Sequence, residues 1–318
     1  MQRALVAGGA GFIGSHLCEK LLNDGYAVTA VDNLITGSEK NIEHLKSNPN
    51  FSFVNQDISI GNLKLDIGNL KFIFHLASPA SPNAKSPNSY INHPLETLRV
   101  NSLGTERLLE LAKKDGARFL FASTSEIYGD PTVSPQPETY FGNVNPNGVR
   151  SVYDEAKRYG EAITMAYGRT YGVDVRIIRI FNTYGPHMQK DDGRVVSNFI
   201  VQALNNSPIT LYGDGSQTRS FCYVDDMVDG FCRAMFSENT NREVFNIGNP
   251  DERTVAELAT IIKEAVGSSS EIITEDLPED DPKKRRPDIT KAKSVLGWEP
   301  KVNLSDGLAK TIEYFKTV

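Results

Sequence analysis

Tyr153 and Lys157 stand four residues apart in a segment with helical apolar spacing, so both side chains fall on one face of a helix. A tyrosine hydroxyl ordinarily titrates near pH 10, too high for a base at neutral pH. A neighbouring ammonium favours the phenolate, so the pair suits removal of a proton from a hydroxyl. The same spacing is common in helices of any function and gains a mechanism only from its surroundings. Earlier in the chain, Ser123-Thr124-Ser125-Glu126 follows an apolar run and places hydroxyls and a carboxylate at the end of an expected strand. Thr124 can hydrogen-bond a reacting oxygen and Glu126 can face the reacting group. The plain alternative is a Ser/Thr-rich turn closed by a solvated glutamate.

A second constellation opens the chain. Gly8-Gly9-Ala10-Gly11-Phe12-Ile13-Gly14 spaces its glycines G-x-x-G-x-x-G directly after a strand and at the start of a helix. Such a turn needs glycine for tightness, for close backbone approach to a pyrophosphate, and for packing of helix on strand. The helix N-terminus adds unpaired N–H groups and a positive dipole end. The next strand runs into Asp32-Asn33, with Asp32 eighteen residues beyond Gly14. A carboxylate there accepts from both ribose hydroxyls and repels a 2′-phosphate, so NAD is expected rather than NADP. Asp57-Ile58 follows the third strand, where an adenine edge would lie, although an ordinary loop aspartate reads the same way. With a positively charged nicotinamide beside it, Tyr153 can take the proton from a sugar hydroxyl while hydride leaves to NAD.

The elements that must position these groups alternate. Strands are expected at Arg3–Ala7, 27–31, Phe51–Asn55, 72–76, 118–122 and Val175–Ile180, and helices at 14–22, 97–113 and 152–171. This is the pattern of βαβ units in an α/β, Rossmann-type, doubly wound parallel sheet, which binds ligands beyond the carboxyl ends of its strands. After residue 182 turn signals multiply, with a helix near 254–266, a charged loop at 276–286 and a final helix at 304–315. Residues 1–182 are therefore expected to form an NAD-binding domain and residues 183–318 mainly a smaller substrate domain, with a possible return of 220–235 to the first.

A chain of 318 residues allows about two domains. With 34 basic against 40 acidic residues it has no basic excess, which argues against nucleic-acid binding. Anionic substrates must be held by a few placed arginines. Cys18, Cys222 and Cys232 form no CxxC pair, and neither a disulfide framework nor a metal site is readable. No run reaches the roughly 18 apolar residues of a membrane span. A cytoplasmic protein without membrane contact is expected.

The chain resembles the extended short-chain dehydrogenases/reductases of the nucleotide-sugar epimerase, dehydratase and decarboxylase group, and within it the UDP-glucuronate decarboxylase branch. The resemblance runs through residues 8–17, 75–82 (His-Leu-Ala-Ser-Pro-Ala-Ser-Pro), 122–131, 153–158 (Tyr-Asp-Glu-Ala-Lys-Arg), 180–186, 192–199, 213–219, 281–289 and 296–300. It implies a retained NAD, contacted by Gly8, Gly11, Phe12, Ile13, Gly14, Asp32, Asn33, Asp57, Ile58, Leu76, Ala77, Tyr153 and Lys157. By matching motif, Tyr153 is the base, Lys157 tunes it and holds the nicotinamide ribose, Thr124 positions O4, and Glu126 acts at the ring. Asn182, Val195, Tyr212, Arg219 and Arg285 match residues that hold a UDP-sugar, and Arg285 also matches one proposed to assist protonation at C5. Dehydratases of the group usually carry an Asp before the Glu, where this chain has Ser125. The resemblance also implies a homodimer built through helices 97–113 and 152–171.

Two features depart from the decarboxylase pattern. The loop 83–94 is several residues longer than usual, and Val149 stands where Pro is more common. They fit either a different ring substituent or drift in a loop. The rival reading is another NAD-retaining epimerase, 4,6-dehydratase-like or double-bond-shifting enzyme on a UDP-N-acetylhexosamine derivative. A non-catalytic NAD-binding regulator is a third, opposed by the joint presence of Thr124, Glu126, Tyr153 and Lys157.

Overall fold

The computed structural model describes residues 1–61, 67–277 and 284–318. Its centre is a seven-stranded sheet in which every pairing is parallel. Six strands match the expected runs: β1 (Arg3–Ala7), β2 (Ala27–Asp32), β3 (Phe51–Asn55), β4 (Leu70–His75), β5 (Arg118–Thr124) and β6 (Val175–Ile180). The order across the sheet is β3-β2-β1-β4-β5-β6, and Glu243–Ile247 follows on the β6 edge. Strand succession reverses direction between β1 and β4, and a ligand crevice opens there at the carboxyl ends.

Both faces of this sheet are buried, as a parallel sheet requires. Ala4 and Val6 point into the core shared with α1 (Phe12–Asn23) and the C-terminal helices. Leu5 and Ala7 point into the opposite core, with Leu108, Leu109 and Tyr167. That second face is covered by α2 (Pro94–Arg99), α3 (Thr105–Asp115) and α4 (Ser151–Thr170).

The single helix expected at 97–113 is divided. Between α2 and α3, residues Val100–Gly104 make a wider π turn. The buried His75 ring explains the irregularity, because its Nε2 reaches both the Val100 carbonyl (3.3 Å) and Thr105 Oγ1 (3.1 Å). Segment 220–235 returns to the main sheet as a helix, Val224–Phe236, laid against α1; the strand that joins the sheet, Glu243–Ile247, follows it. The charged loop expected at 276–286 lies partly outside the described residues. Its end, Lys284–Arg285, pairs with Thr218–Ser220, which also pairs with Glu252–Thr254. Helices Val195–Leu204 and Val255–Val266 pack together beside the parallel pair Ile209–Tyr212 and Ile272–Glu275.

The helix carrying Tyr153 and Lys157 lies unusually close to β5. A Cβ on Gly160 would sit 2.2 Å from Phe121 Cζ, and Phe121 is fully buried with nowhere to move. Gly160→Ala is therefore expected to lower unfolding free energy by about 1–3 kcal/mol, the usual cost of overpacking a core. Equilibrium urea denaturation checks this; unchanged stability would show that α4 can lift freely from the sheet.

Candidate active site

The glycine turn is shaped by contacts that no side chain could tolerate. Gly8 has φ +83°, and a Cβ there would lie 2.7 Å from Ala77 N. On Gly14 it would fall 2.0 Å from the Gly8 carbonyl oxygen, so the first turn of α1 rests directly on the loop. Gly11 instead borders open space: a Cβ there meets only Gly8 O, at 3.2 Å. A continuous groove passes this turn. Asp32, Asn33, Asp57, Ile58, Leu76 and Ala77 line one end, and Phe12, Ile13, Tyr153 and Lys157 line the other. A dinucleotide fits this cradle, with its pyrophosphate at the bare backbone of Gly11 and the start of α1.

Asp32 is tied into the glycine turn. Its Oδ2 accepts from Ala10 N (3.0 Å) and its Oδ1 from Leu34 N (2.9 Å), which braces the glycine turn from behind. Burial pushes its pKa up, and backbone hydrogen bonds from Leu34, Ala10 and Gly11 oppose that shift. Lone pairs remain for ribose hydroxyls. Asn33 donates to Asp57 (2.8 Å), tying the loops after β2 and β3 together.

At the other end Tyr153 and Lys157 are both buried. Lys157 Nζ donates to the Ala122 carbonyl at 2.8 Å and lies 5.7 Å from the Tyr153 ring centroid. Burial lowers the Lys157 pKa from 10.5 to about 7. Tyr153 moves upward: burial raises its pKa, hydrogen bonding with Thr124 lowers it, and the Glu126 charge raises it again. The sequence reading has the ammonium and a positive nicotinamide together bring the phenol toward working pH; in the dinucleotide-free chain, burial pushes Tyr153 the other way. Burial disfavours both charges. Thr124 Oγ1 also accepts from Glu126 N (3.2 Å), capping the short turn Ser125–Tyr128.

Glu126 is not a free carboxylate beside the ring. One oxygen accepts from Arg150 Nη2 and the other from Arg285 Nη1, and Arg285 Nη2 donates to the Gly129 carbonyl at 3.0 Å. Burial raises the Glu126 pKa, but the charges of Arg150 and Arg285 outweigh it and keep the group ionised. Arg219 lies opposite Arg285 in the paired strands, with its Nη1 donating to the Thr218 carbonyl (2.8 Å). Val195 begins the helix Val195–Leu204, Tyr212 ends a strand, and the Asn182 carbonyl accepts from Cys222 N (2.9 Å).

Several site residues carry no signal that single-sequence reasoning weighs. Tyr90 is fully buried and stacks on Tyr153, with centroids 4.8 Å apart and planes 3° from parallel. Its only hint is membership of the lengthened loop 83–94. Arg194 enters the groove in a two-pronged pair with Asp192 (2.5 and 2.7 Å), and its guanidinium lies 5.8 Å from the Phe12 ring centroid. Arg150 reads as a helix-start arginine until Glu126 is seen opposite it.

A profile of the NAD dependent epimerase/dehydratase family matches residues 4–248. Over 316 residues the chain is 53% identical to UDP-glucuronic acid decarboxylase 1 of Danio rerio, covering 99% of this chain and 72% of that protein. It is 51% identical over 315 residues to UDP-glucuronic acid decarboxylase 5 of Arabidopsis thaliana, covering 99% and 89%. The crystal structure of UDP-glucuronic acid 4-epimerase from Bacillus cereus, in complex with UDP-glucuronic acid and NAD, is similar with a TM-score of 0.88 at 30% identity, 99% of each chain being covered. The glycine cradle and the Tyr153–Lys157 pair lie within the matched residues, and this chain belongs to the NAD dependent epimerase/dehydratase family.

Proposed function

We propose that the protein is a UDP-glucuronate decarboxylase that forms UDP-xylose by oxidation at C4, loss of carbon dioxide and re-reduction. The observation that carries this reading is identity of about one residue in two with UDP-glucuronic acid decarboxylases along 99% of the chain. The chemistry agrees with the side chains present. A ketone at C4 is β to the C6 carboxylate, and such acids lose carbon dioxide with little assistance, the electron pair passing to O4. The pair returns from O4 as C5 takes a proton from water, and hydride and the Tyr153 proton then restore C4–H and O4–H. A 4,6-dehydratase must instead expel a hydroxyl and needs an acid at the position of Ser125, which is buried and carries none.

In this reading Tyr153 takes the O4 proton and later returns it, Thr124 orients O4, and Lys157 holds the ribose at the nicotinamide end. NAD held in the glycine cradle would supply the hydride acceptor and donor for C4, and its positive ring would favour the Tyr153 phenolate. Arg285, fixed by Glu126 and the Gly129 carbonyl, is a stationary charge near C5. Asn182, Val195, Tyr212 and Arg219 hold the UDP portion; residues 1–182 form the cofactor domain together with the returning Val224–Phe236 and Glu243–Ile247, and the remainder of 183–318 is mainly the substrate domain.

The reading includes a homodimer. Leu95, Leu98 and Leu103 around the divided helix, and Tyr159 on α4, leave apolar surface exposed where a second copy would pack. It also includes cytoplasmic residence, in keeping with three free buried cysteines. Among the described residues no helix is long and apolar enough to cross a membrane.

Incubation of NAD-loaded protein with UDP-glucuronate, followed by mass spectrometry, should show loss of one carbon dioxide to a UDP-pentose. Unchanged UDP-glucuronate from folded, NAD-loaded protein would overturn the reading. Tyr153→Phe should retain NAD and lose turnover. Arg285→Lys is expected to lower kcat at saturating substrate, because an ammonium cannot reproduce the fork that meets both Glu126 and the Gly129 carbonyl. A rise in KM alone would make Arg285 only a grip.

The proton inventory adds a prediction for the dinucleotide-free protein. The unfolded chain holds the Lys157 proton up to its ordinary pKa of 10.5, whereas the folded chain releases it near 7. Below pH 7 folding must bury an ammonium, and stability from this group climbs as pH rises from 7 toward 10.5. Lys157→Met should therefore gain on the parent most at about pH 6.5, by roughly 1–3 kcal/mol, and lose that advantage toward about pH 9.5. Urea denaturation at both pH values checks the sign; a constant difference would show that Lys157 is not discharged in the fold.

A further inference from the structure

The loop 83–94 is a strap at the edge of the groove, which Asn88 helps to line. Asn83 Nδ2 donates to the Gly193 carbonyl (3.2 Å), Ser86 Oγ to the Asp191 carbonyl (2.5 Å), and Asn88 Nδ2 to Asp191 Oδ1 (3.1 Å). Gly193, at φ +85°, is its seat: a Cβ there would lie 2.7 Å from Asn83 Cβ and 2.9 Å from Ser86 Cβ. One end of the strap lays Tyr90 on Tyr153. From the other, Lys85 reaches the smaller lobe. Its Nζ meets Glu275 Oε2 at 2.9 Å and lies 6.0 Å from the Tyr212 ring centroid. Glu275 and Tyr212 are register partners on neighbouring strands, so the lysine ties the strap to the end of that strand pair.

A nucleoside diphosphate brings at least two negative charges to a chain with six more acidic than basic residues. Of the site's arginines, Arg150 and Arg285 share Glu126 and Arg194 holds Asp192 with two nitrogens, while Arg219, which donates to the Thr218 carbonyl, is the cation beside which Lys85 would act. Separating such enclosed pairs leaves a buried charge uncompensated. The Lys85–Glu275 pair differs, since both side chains are exposed, at 72% and 42%. Exposed pairs are held weakly and exchange partners easily, and lysine's flexible stem lets its charge follow a phosphate.

We propose that Lys85 recognises the diphosphate of the nucleotide-sugar, leaving Glu275 for phosphate oxygens when the substrate enters. The inference rests on the UDP-sugar reading above and adds a specificity residue on the strap. Glu275 becomes the competitor that holds the lysine in the free protein.

Calorimetric titration of UDP and of uridine into NAD-loaded protein tests it. Lys85→Ala should weaken UDP by about fivefold and leave uridine within about twofold. Glu275→Gln should tighten UDP, and the double variant should bind like Lys85→Ala alone. Dependence of UDP affinity on ionic strength should be shallower in Lys85→Ala than in the parent. Retained NAD and an unchanged melting temperature verify that each variant is folded. UDP affinity of Lys85→Ala within about twofold of the parent would overturn the proposal. So would equal losses for UDP and uridine, which would make the strap a packing element around the nucleoside. A parent protein that binds no UDP would instead remove the UDP-sugar reading itself, and the Lys85 role with it.

Discussion

The site depends on how closely α4 lies against β5. Gly160 lets the helix press on Phe121, and one turn earlier Lys157 Nζ reaches the Ala122 carbonyl at the end of the same strand. These two contacts fix the roll and height of the helix, and with them the position of Tyr153 over the carboxyl edge of the sheet. The fixation has an electrostatic consequence. A lysine close enough to bond a strand carbonyl is removed from water, and its charge becomes costly at neutral pH. The same burial that places Tyr153 holds it in the protonated form.

Beneath the reacting groups lies a second layer of enclosed ion pairs. Arg179 grips both oxygens of Glu161 (2.9 and 2.8 Å), Ser123 donates to the same carboxylate (2.6 Å), and Arg179 also donates to Tyr128 OH (2.9 Å). Tyr128 in turn donates to Asn246 on the strand Glu243–Ile247 (2.8 Å). The end of β5, the Ser125–Tyr128 turn and the edge strand are thus held in one network, with Glu126 and its two arginines just above. Such pairs add little net stability, but they leave few alternative arrangements. A chain without a basic field can in this way offer positive charge to an anion at fixed points.

The strap and the glycine turn show two ways in which a loop is held. The glycine turn is held by absence of side chains, with the Gly8 carbonyl against Gly14 and Asp32 bracing from behind. The strap is held by short polar side chains, Asn83, Ser86 and Asn88, bonding the backbone and side chains of 189–193. The first arrangement is rigid because its contacts are steric. The second consists of partly exposed hydrogen bonds, which are the kind that open locally.

Much of this was legible in the amino-acid order because it is local. The alternation of apolar strands and helices, the G-x-x-G-x-x-G turn, Asp32 at a strand end and the Tyr153–Lys157 spacing are each set by backbone geometry within a few residues. Glu243–Ile247 was not anticipated as a strand, since a short run with two polar residues becomes one only beside β6. The π turn at Val100–Gly104 depends on His75, 25 residues away in the chain. The state of Glu126 was equally hidden, because its partners come from positions 150 and 285. Tyr90 on Tyr153 and Lys85 beside Glu275 are contacts between segments that sequence spacing does not relate. The amino-acid order carries the sheet class, the glycine turn and the placing of Tyr153 and Lys157 on one helix face, because periodicity and turn chemistry act over one or two turns of chain. Which charges are neutralised follows from packing, since burial and long-range pairing belong to the folded whole.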